Sequence, residues 1–178
     1  MGRKHTRAEL LAGAVDAAFD DGLSRLTFGR VAKRLGVADR TLVYYFPTKD
    51  ELISEVVSSV GTQLERTLAP AFADRATDHR EVVRAAWPVL AQPAADPVFA
   101  LFFEANGLAA AGREPYATLV PQLVERWISW VAAVIDDSST RCRAEAETAI
   151  AVVDGLLLLR QLGGPDAAER AARIILEG

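Results

Sequence analysis

Between Thr27 and Phe46 two short runs of helical period meet across one glycine, which leaves room for little but a tight helical hairpin. Phe28, Val31, Ala32 and Leu35 follow Thr27 on one helix face, and Gly36 closes that helix. Gly36-Val37-Ala38 is the turn. A second helix, Asp39 to Tyr45, keeps Leu42 for the core, with Val37 and Phe46 flanking it. Its other side carries Arg40, Thr41, Tyr44 and Tyr45. This is helix-turn-helix spacing, and a rod lined with hydrogen-bonding groups fits a major groove.

The rest of the chain repeats the helical period, with no sustained apolar/polar alternation. Thr6-Arg-Ala-Glu9 has capping-box spacing and starts a helix lined by Leu10, Leu11, Ala14, Val15, Ala18 and Phe19, which Asp21-Gly22 ends. Thr48-Lys-Asp-Glu51 opens a long helix with Leu52, Val56, Val60, Leu64 and Leu68 on one stripe. Further helices are expected near 78–92, 96–111, 116–136, 140–162 and 166–177. Asp96-Pro97 reads as a cap followed by proline, and Gly163-Gly164-Pro165 as a stop and restart. Pro88 and Pro121 lie inside helical patterns and predict a kink or break. The expected fold is all-α, an N-terminal three-helix head on a larger antiparallel helical body. The domains expected are 1–47 and 48–178.

The net charge of −4 is uneven. Residues 1–50 hold nine Lys/Arg against six Asp/Glu, and residues 51–178 eleven against eighteen. A basic head on an acidic body suggests that only the head meets a polyanion. Cys142 is the one cysteine, too few for an internal disulfide or a structural zinc site. The N-terminus has no apolar signal core, and Ala149–Leu159 is interrupted by Asp154 and Gly155, far short of a membrane span. A cytoplasmic protein with no membrane, metal or cofactor is expected.

The run from Thr27 to Leu52 resembles the N-terminal DNA-binding region of TetR-family repressors, matching at Thr27, Val31, Ala32, Gly36, Val37, Leu42, Phe46, Lys49 and Leu52. Four positions leave the family pattern. Ala38 stands where a small hydroxyl residue is usual, leaving Asp39 to cap the second helix. Arg40 replaces a common glycine, Val43 a tyrosine and Tyr45 a histidine. The resemblance implies that Thr27 and Lys49 contact phosphate, with Tyr44 and Tyr45 toward the DNA backbone. Arg40 is the candidate base reader, since its fork matches guanine O6 and N7. Asp39 and Thr41 complete the expected DNA face, and Arg3, Lys4 and Arg7 form an expected basic arm.

In the body, aromatic residues gather around Asn106, the lone asparagine. Family members commonly enclose an effector site there, so a small apolar effector lined by Trp87, Phe99, Phe103, Asn106, Trp127 and Trp130 is expected. The helix from Ala149 to Leu159 is apolar nearly all round, and Ala168, Ala171, Ala172, Ile175 and Leu176 add a second face. Surplus apolar surface implies a partner. TetR-like proteins pair through their last two long helices, which points to a homodimer touching through Ile150, Val153, Leu157, Arg160, Ala168, Ala171, Ala172 and Ile175. Two heads would then meet half-sites about 34–36 Å apart on double-stranded operator DNA.

The leading expectation is a repressor released from its operator by an effector. The alternative is a DNA-bound scaffold that recruits a protein and has no inducer. An enzyme is not expected, because no His/Cys/carboxylate cluster or Gly-rich phosphate loop appears. Glu104 and Asp154 are isolated carboxylates, expected to satisfy neighbours such as Arg160 rather than to catalyse.

Overall fold

The computed structural model describes residues 5–136 and 141–177. Arg3 and Lys4 of the expected arm, and the expected helix start at 140, lie outside them. Among the described residues there are nine α-helices and no β-strand. They are α1 (Arg7–Asp21), α2 (Phe28–Leu35), α3 (Asp39–Tyr45), α4 (Lys49–Leu68), α5 (His79–Leu90), α6 (Asp96–Ala110), α7 (Tyr116–Val134), α8 (Cys142–Gly163) and α9 (Pro165–Glu177).

Local chemistry explains most of the ends. Thr6 and Glu9 form a complete capping box at α1, each side chain taking the other's backbone N–H. The Thr27 hydroxyl accepts the Arg30 N–H, and the Thr48 hydroxyl accepts that of Glu51. Gly36 closes α2 at φ +67°, a left-handed conformation that side chains resist. Gly164 ends α8, and Pro165 begins α9 with its fixed φ and missing N–H.

Three expectations change. Pro88 and Pro121 lie within continuous α5 and α7, so neither helix breaks. Each proline removes one i→i−4 bond, and packing holds the remaining turns. Asp96 does not cap α6. It follows a 3₁₀ turn, Pro93–Ala95, as the first residue of the helix, and its carboxylate binds Arg160. A second 3₁₀ turn, Ala69–Phe72, continues from α4 without a sequence signal that predicted it.

The helices sort into two compact units. The first takes the residues up to Gln63 with Leu101–Val120, and the second Leu64–Ala100 with the residues from Pro121 on. In the first, Leu10, Ala14, Ala17 and Ala18 of α1 pack with Leu23, Leu26, Val31, Ala32, Leu42 and Phe46. Leu52, Ile53 and Val56 of α4, Leu101 and Ala105 of α6 and Tyr116 of α7 complete the same cluster. Each fully buried leucine or phenylalanine contributes about 1.5–3 kcal/mol. The three short N-terminal helices therefore share their core with residues that arrive after position 100.

In the second unit α8 packs against α5 and α9. Val83, Ala86, Trp87 and Leu90 of α5 meet a core that includes Ala146, Ala149, Leu156 and Leu157 of α8 and Ala168 and Ala172 of α9. Small residues allow the helix axes to approach closely. Polar ties seal the edges: His79 Nδ1 lies 2.6 Å from Glu145, and Arg143 forks onto Glu125 at 2.7 and 2.8 Å.

Candidate DNA-binding interface

The recognition helix α3 opens at Ala38, which has no side chain to cap it, and no side-chain hydrogen bond replaces one. Asp39 thus does not cap. It sits in the first turn, where its charge favours the positive helix end, and it is exposed. An exposed carboxylate accepts but cannot donate, so it suits a base amine such as cytosine N4 and repels phosphate.

The two tyrosines divide their work. Tyr44 is 80 % exposed, and its ring meets that of Tyr45 edge-on at 5.0 Å. Tyr45 is half-buried against the core, and its hydroxyl donates to the His5 carbonyl at 3.3 Å. That donor already has a partner, whereas the Tyr44 phenol faces outward. Arg40 and Lys49 are exposed and form no ion pair among the described residues. Thr41 is half-buried, and the Thr27 hydroxyl, which accepts from Arg30, keeps its proton for an outside acceptor.

Three other arginines of this unit are engaged. Arg34 pairs with Asp20 at 2.5 Å and Arg30 with Asp21 at 3.4 Å. Arg7 is no part of a loose arm. It is the first residue of α1, pairs with Glu55 of α4 and lies over the Phe46 ring at 4.8 Å. Arg40 of α3 and Lys49 at the start of α4 are exposed, as is Lys33 of α2. No group of three or more His, Cys, Asp or Glu among the described residues can hold a metal ion.

A family model described as bacterial regulatory proteins, tetR family, matches residues 10–56. This segment runs from α1 into α4 and contains the whole helix-turn-helix. The HTH-type transcriptional regulator EthR of Mycobacterium tuberculosis is 26 % identical over 93 % of this chain and 80 % of its own. A transcriptional regulator from Rhodococcus sp. Rha1 superposes with a TM-score of 0.76 over 97 % of this chain and 95 % of its own, at 23 % identity. The multidrug binding protein EbrR, solved with imidazole, does so at 0.70 over 96 % and 87 %, at 26 % identity. The N-terminal segment thus matches the tetR-family model, and the chain is similar over most of its length to transcriptional regulators.

Beyond the helix-turn-helix, the chain places the expected effector residues in both units. Trp87, Phe99, Trp127 and Trp130 belong to the second unit, and Phe103 and Asn106 to the first. Trp87 is buried, and its indole N–H donates to Glu169 of α9 at 3.0 Å, so it ties α5 to α9. Trp127 and Trp130 meet edge-on at 5.4 Å, and Phe72 meets Trp130 likewise. Phe103 stacks edge-on with Phe102. The Asn106 side-chain oxygen is buried without a hydrogen-bond partner, as is the Tyr116 hydroxyl. Burial and the charges of Glu104 and Asp50 push the Tyr116 phenol up to about 12.

The expected partner-facing residues also separate. Leu157, Ala168 and Ala172 are buried inside the second unit, which removes them from any surface a partner touches. Ile150, Val153 and Ala171 are half-buried and Ile175 is exposed. Arg160 is bonded to Asp96 of its own chain. The apolar side chains that α8 and α9 do present outward are Leu158, Leu159, Leu162, Ile174 and Ile175. An all-round apolar helix does not reveal from sequence which side its neighbours cover, so that face was not separable from the buried one.

The two isolated carboxylates do not turn to Arg160. Glu104 accepts backbone N–H groups from Leu23 and Ser24. Asp154, on α8, is half-buried, and burial alone pushes its carboxyl up to about 6. Among the described residues no partner offsets that cost.

Proposed function

We propose that this chain is a homodimeric repressor that leaves its operator when a small effector binds the body. The observation that carries the DNA half is the exposure of Tyr44 and Arg40 on α3 and of Lys49 at the start of α4, with Thr27 at the start of α2. On this reading Thr27, Lys49 and Tyr44 hold phosphates, Arg40 and Asp39 read base edges, and Thr41 adds a methyl or hydroxyl contact. Tyr45 acts mainly by holding the N-terminal end of α1 through His5.

The outward apolar strip of α8 and α9 supports a dimer, since such a surface is costly to leave in water. Pairing two heads brings them to successive turns of a palindrome, in the cytoplasm where operator DNA is found. For the effector, Asp154 supports an apolar cation rather than a neutral apolar molecule. A cation relieves a carboxylate that its surroundings desolvate. Trp127 and Trp130 in the same unit offer aromatic faces to such a ligand. EbrR has been solved with proflavin, a flat aromatic cation, at a TM-score of 0.65 and 25 % identity over 96 % of this chain and 97 % of its own.

The test is operator binding, using duplexes that the protein selects from a random library, with and without proflavin. Release of DNA as proflavin rises is expected, together with weaker dye binding by Asp154→Asn. Dye binding that leaves operator affinity unchanged removes the inducer half of the proposal. Selection of no preferred duplex removes the repressor itself.

A further inference from the structure

The corner between α1 and α2 is held from a distance of some eighty residues along the chain. Glu104 of α6 sends one carboxylate oxygen to the Leu23 N–H at 2.8 Å and the other to the Ser24 N–H at 2.9 Å. Burial alone would raise the Glu104 carboxyl, but hydrogen bonds from Ser24 and Leu23 and the nearby charge of Arg25 outweigh it and hold it below the usual carboxylate range. The carboxylate is therefore ionised and has both oxygens on backbone.

The corner is shaped for it. Gly22 adopts φ +85°, and a Cβ there would come within 2.9 Å of the Glu104 Oε2. Any side chain at 22 would displace the carboxylate or the turn. Leu23 and Leu26 on either side of Ser24 are fully buried in the same core cluster as Leu101 and Ala105 of α6. The next residue after Leu26 is Thr27, the N-cap of α2.

We propose that Glu104 is a positioning residue for DNA binding, which clamps the α1–α2 corner so that α2 and its Thr27 end are set by α6. The residue touches no DNA. It acts through two backbone amides whose direction fixes where α2 begins. Charge-assisted bonds of this kind tolerate little change of angle, so loss of the carboxylate frees the corner while the surrounding leucines keep the unit folded.

The experiment compares full-length wild type, Glu104→Gln and Glu104→Ala on a duplex selected by the wild type, well below each protein's melting midpoint. Glu104→Gln keeps the volume and one acceptor, and Glu104→Ala keeps neither. Losses of about threefold and about tenfold in operator affinity are expected, with the salt dependence of binding unchanged because no phosphate contact is removed. Faster amide exchange confined to residues 22–26 should accompany them. Gly22→Ala supplies a second route: it is expected to weaken binding in the wild type and to add less than its full effect to Glu104→Ala. Folded Glu104→Ala with wild-type affinity overturns the proposal. So does full additivity with Gly22→Ala, or a reduced salt slope, which would make Glu104 part of the charge balance at the DNA face.

Discussion

Arg160 is held inside its own chain: its Nε donates to Asp96 Oδ1 at 2.6 Å, and a second nitrogen to Oδ2 at 3.1 Å. The Arg160 side chain is only 9 % exposed while that of Asp96 remains 44 % exposed. Planar forks match carboxylates in a way an ammonium does not.

Replacing Arg160 by Lys should cost about 1 kcal/mol of stability and replacing it by Leu about 2, read from urea midpoints at constant slope. The Asp96→Asn change should cost less, since the freed arginine can still find water at the edge. If Arg160→Leu is neutral for folding but abolishes self-association, its place is at a subunit contact after all.

Asp154 makes stability depend on pH in an unusual sense. Its folded carboxyl titrates at about 6 against an ordinary 3.8, so it binds a proton more firmly folded than unfolded. Stability from this group is full below the ordinary value, falls as pH rises through that window, and stays lost above it. Lowered carboxylates such as Glu145, held down by its hydrogen bonds to His79, act oppositely. The informative quantity is the difference between Asp154→Asn and wild type. We expect the variant to gain roughly 1–2 kcal/mol at pH 8 and almost nothing near pH 4. A gain that does not change with pH would show that Asp154 is not the titrating group.

Arg40 and Lys49 should lose DNA in different ways. Arg40→Ala is expected to weaken binding by about 1–3 kcal/mol and relax preference at one base position. For Lys49→Ala a uniform loss is expected, with the salt slope reduced by about one. Each readout comes from the same titrations on selected and single-base-altered duplexes. Exchanged behaviours would exchange the two roles.

On α8 and α9 the outward residues Leu162 and Ile174, 80 % and 76 % exposed, offer a clean test of pairing. Leu162→Glu with Ile174→Glu should leave melting of the isolated unit little changed and shift sedimentation from dimer to monomer at micromolar concentration. Leu157→Ala should instead cost about 2–5 kcal/mol of folding stability, because it opens a cavity. A double glutamate variant that still sediments as wild type moves the contact elsewhere.

Much of this protein was legible one residue at a time. Capping boxes, the left-handed Gly36 and the Gly164-Pro165 restart are local signals, since each depends on atoms within a few residues of one another. They were enough for the helix order and the helix-turn-helix. What depends on distant neighbours was not legible. Helical period says that Leu157 and Leu158 are apolar, but only packing of α5 and α9 against one side buries the first and exposes the second. The same holds for charge. Composition counted Arg7, Arg30 and Arg34 as available cations, the sequence placed Arg160 among the partner contacts, and tertiary contacts gave each a carboxylate. Glu104 is the extreme case. Nothing near it in sequence points to the α1–α2 corner, because a side chain that serves two backbone amides far along the chain leaves no periodic mark. The chain alone determined which helices form and that a helix-turn-helix lies among them; the folded structure decided which of their side chains remain exposed.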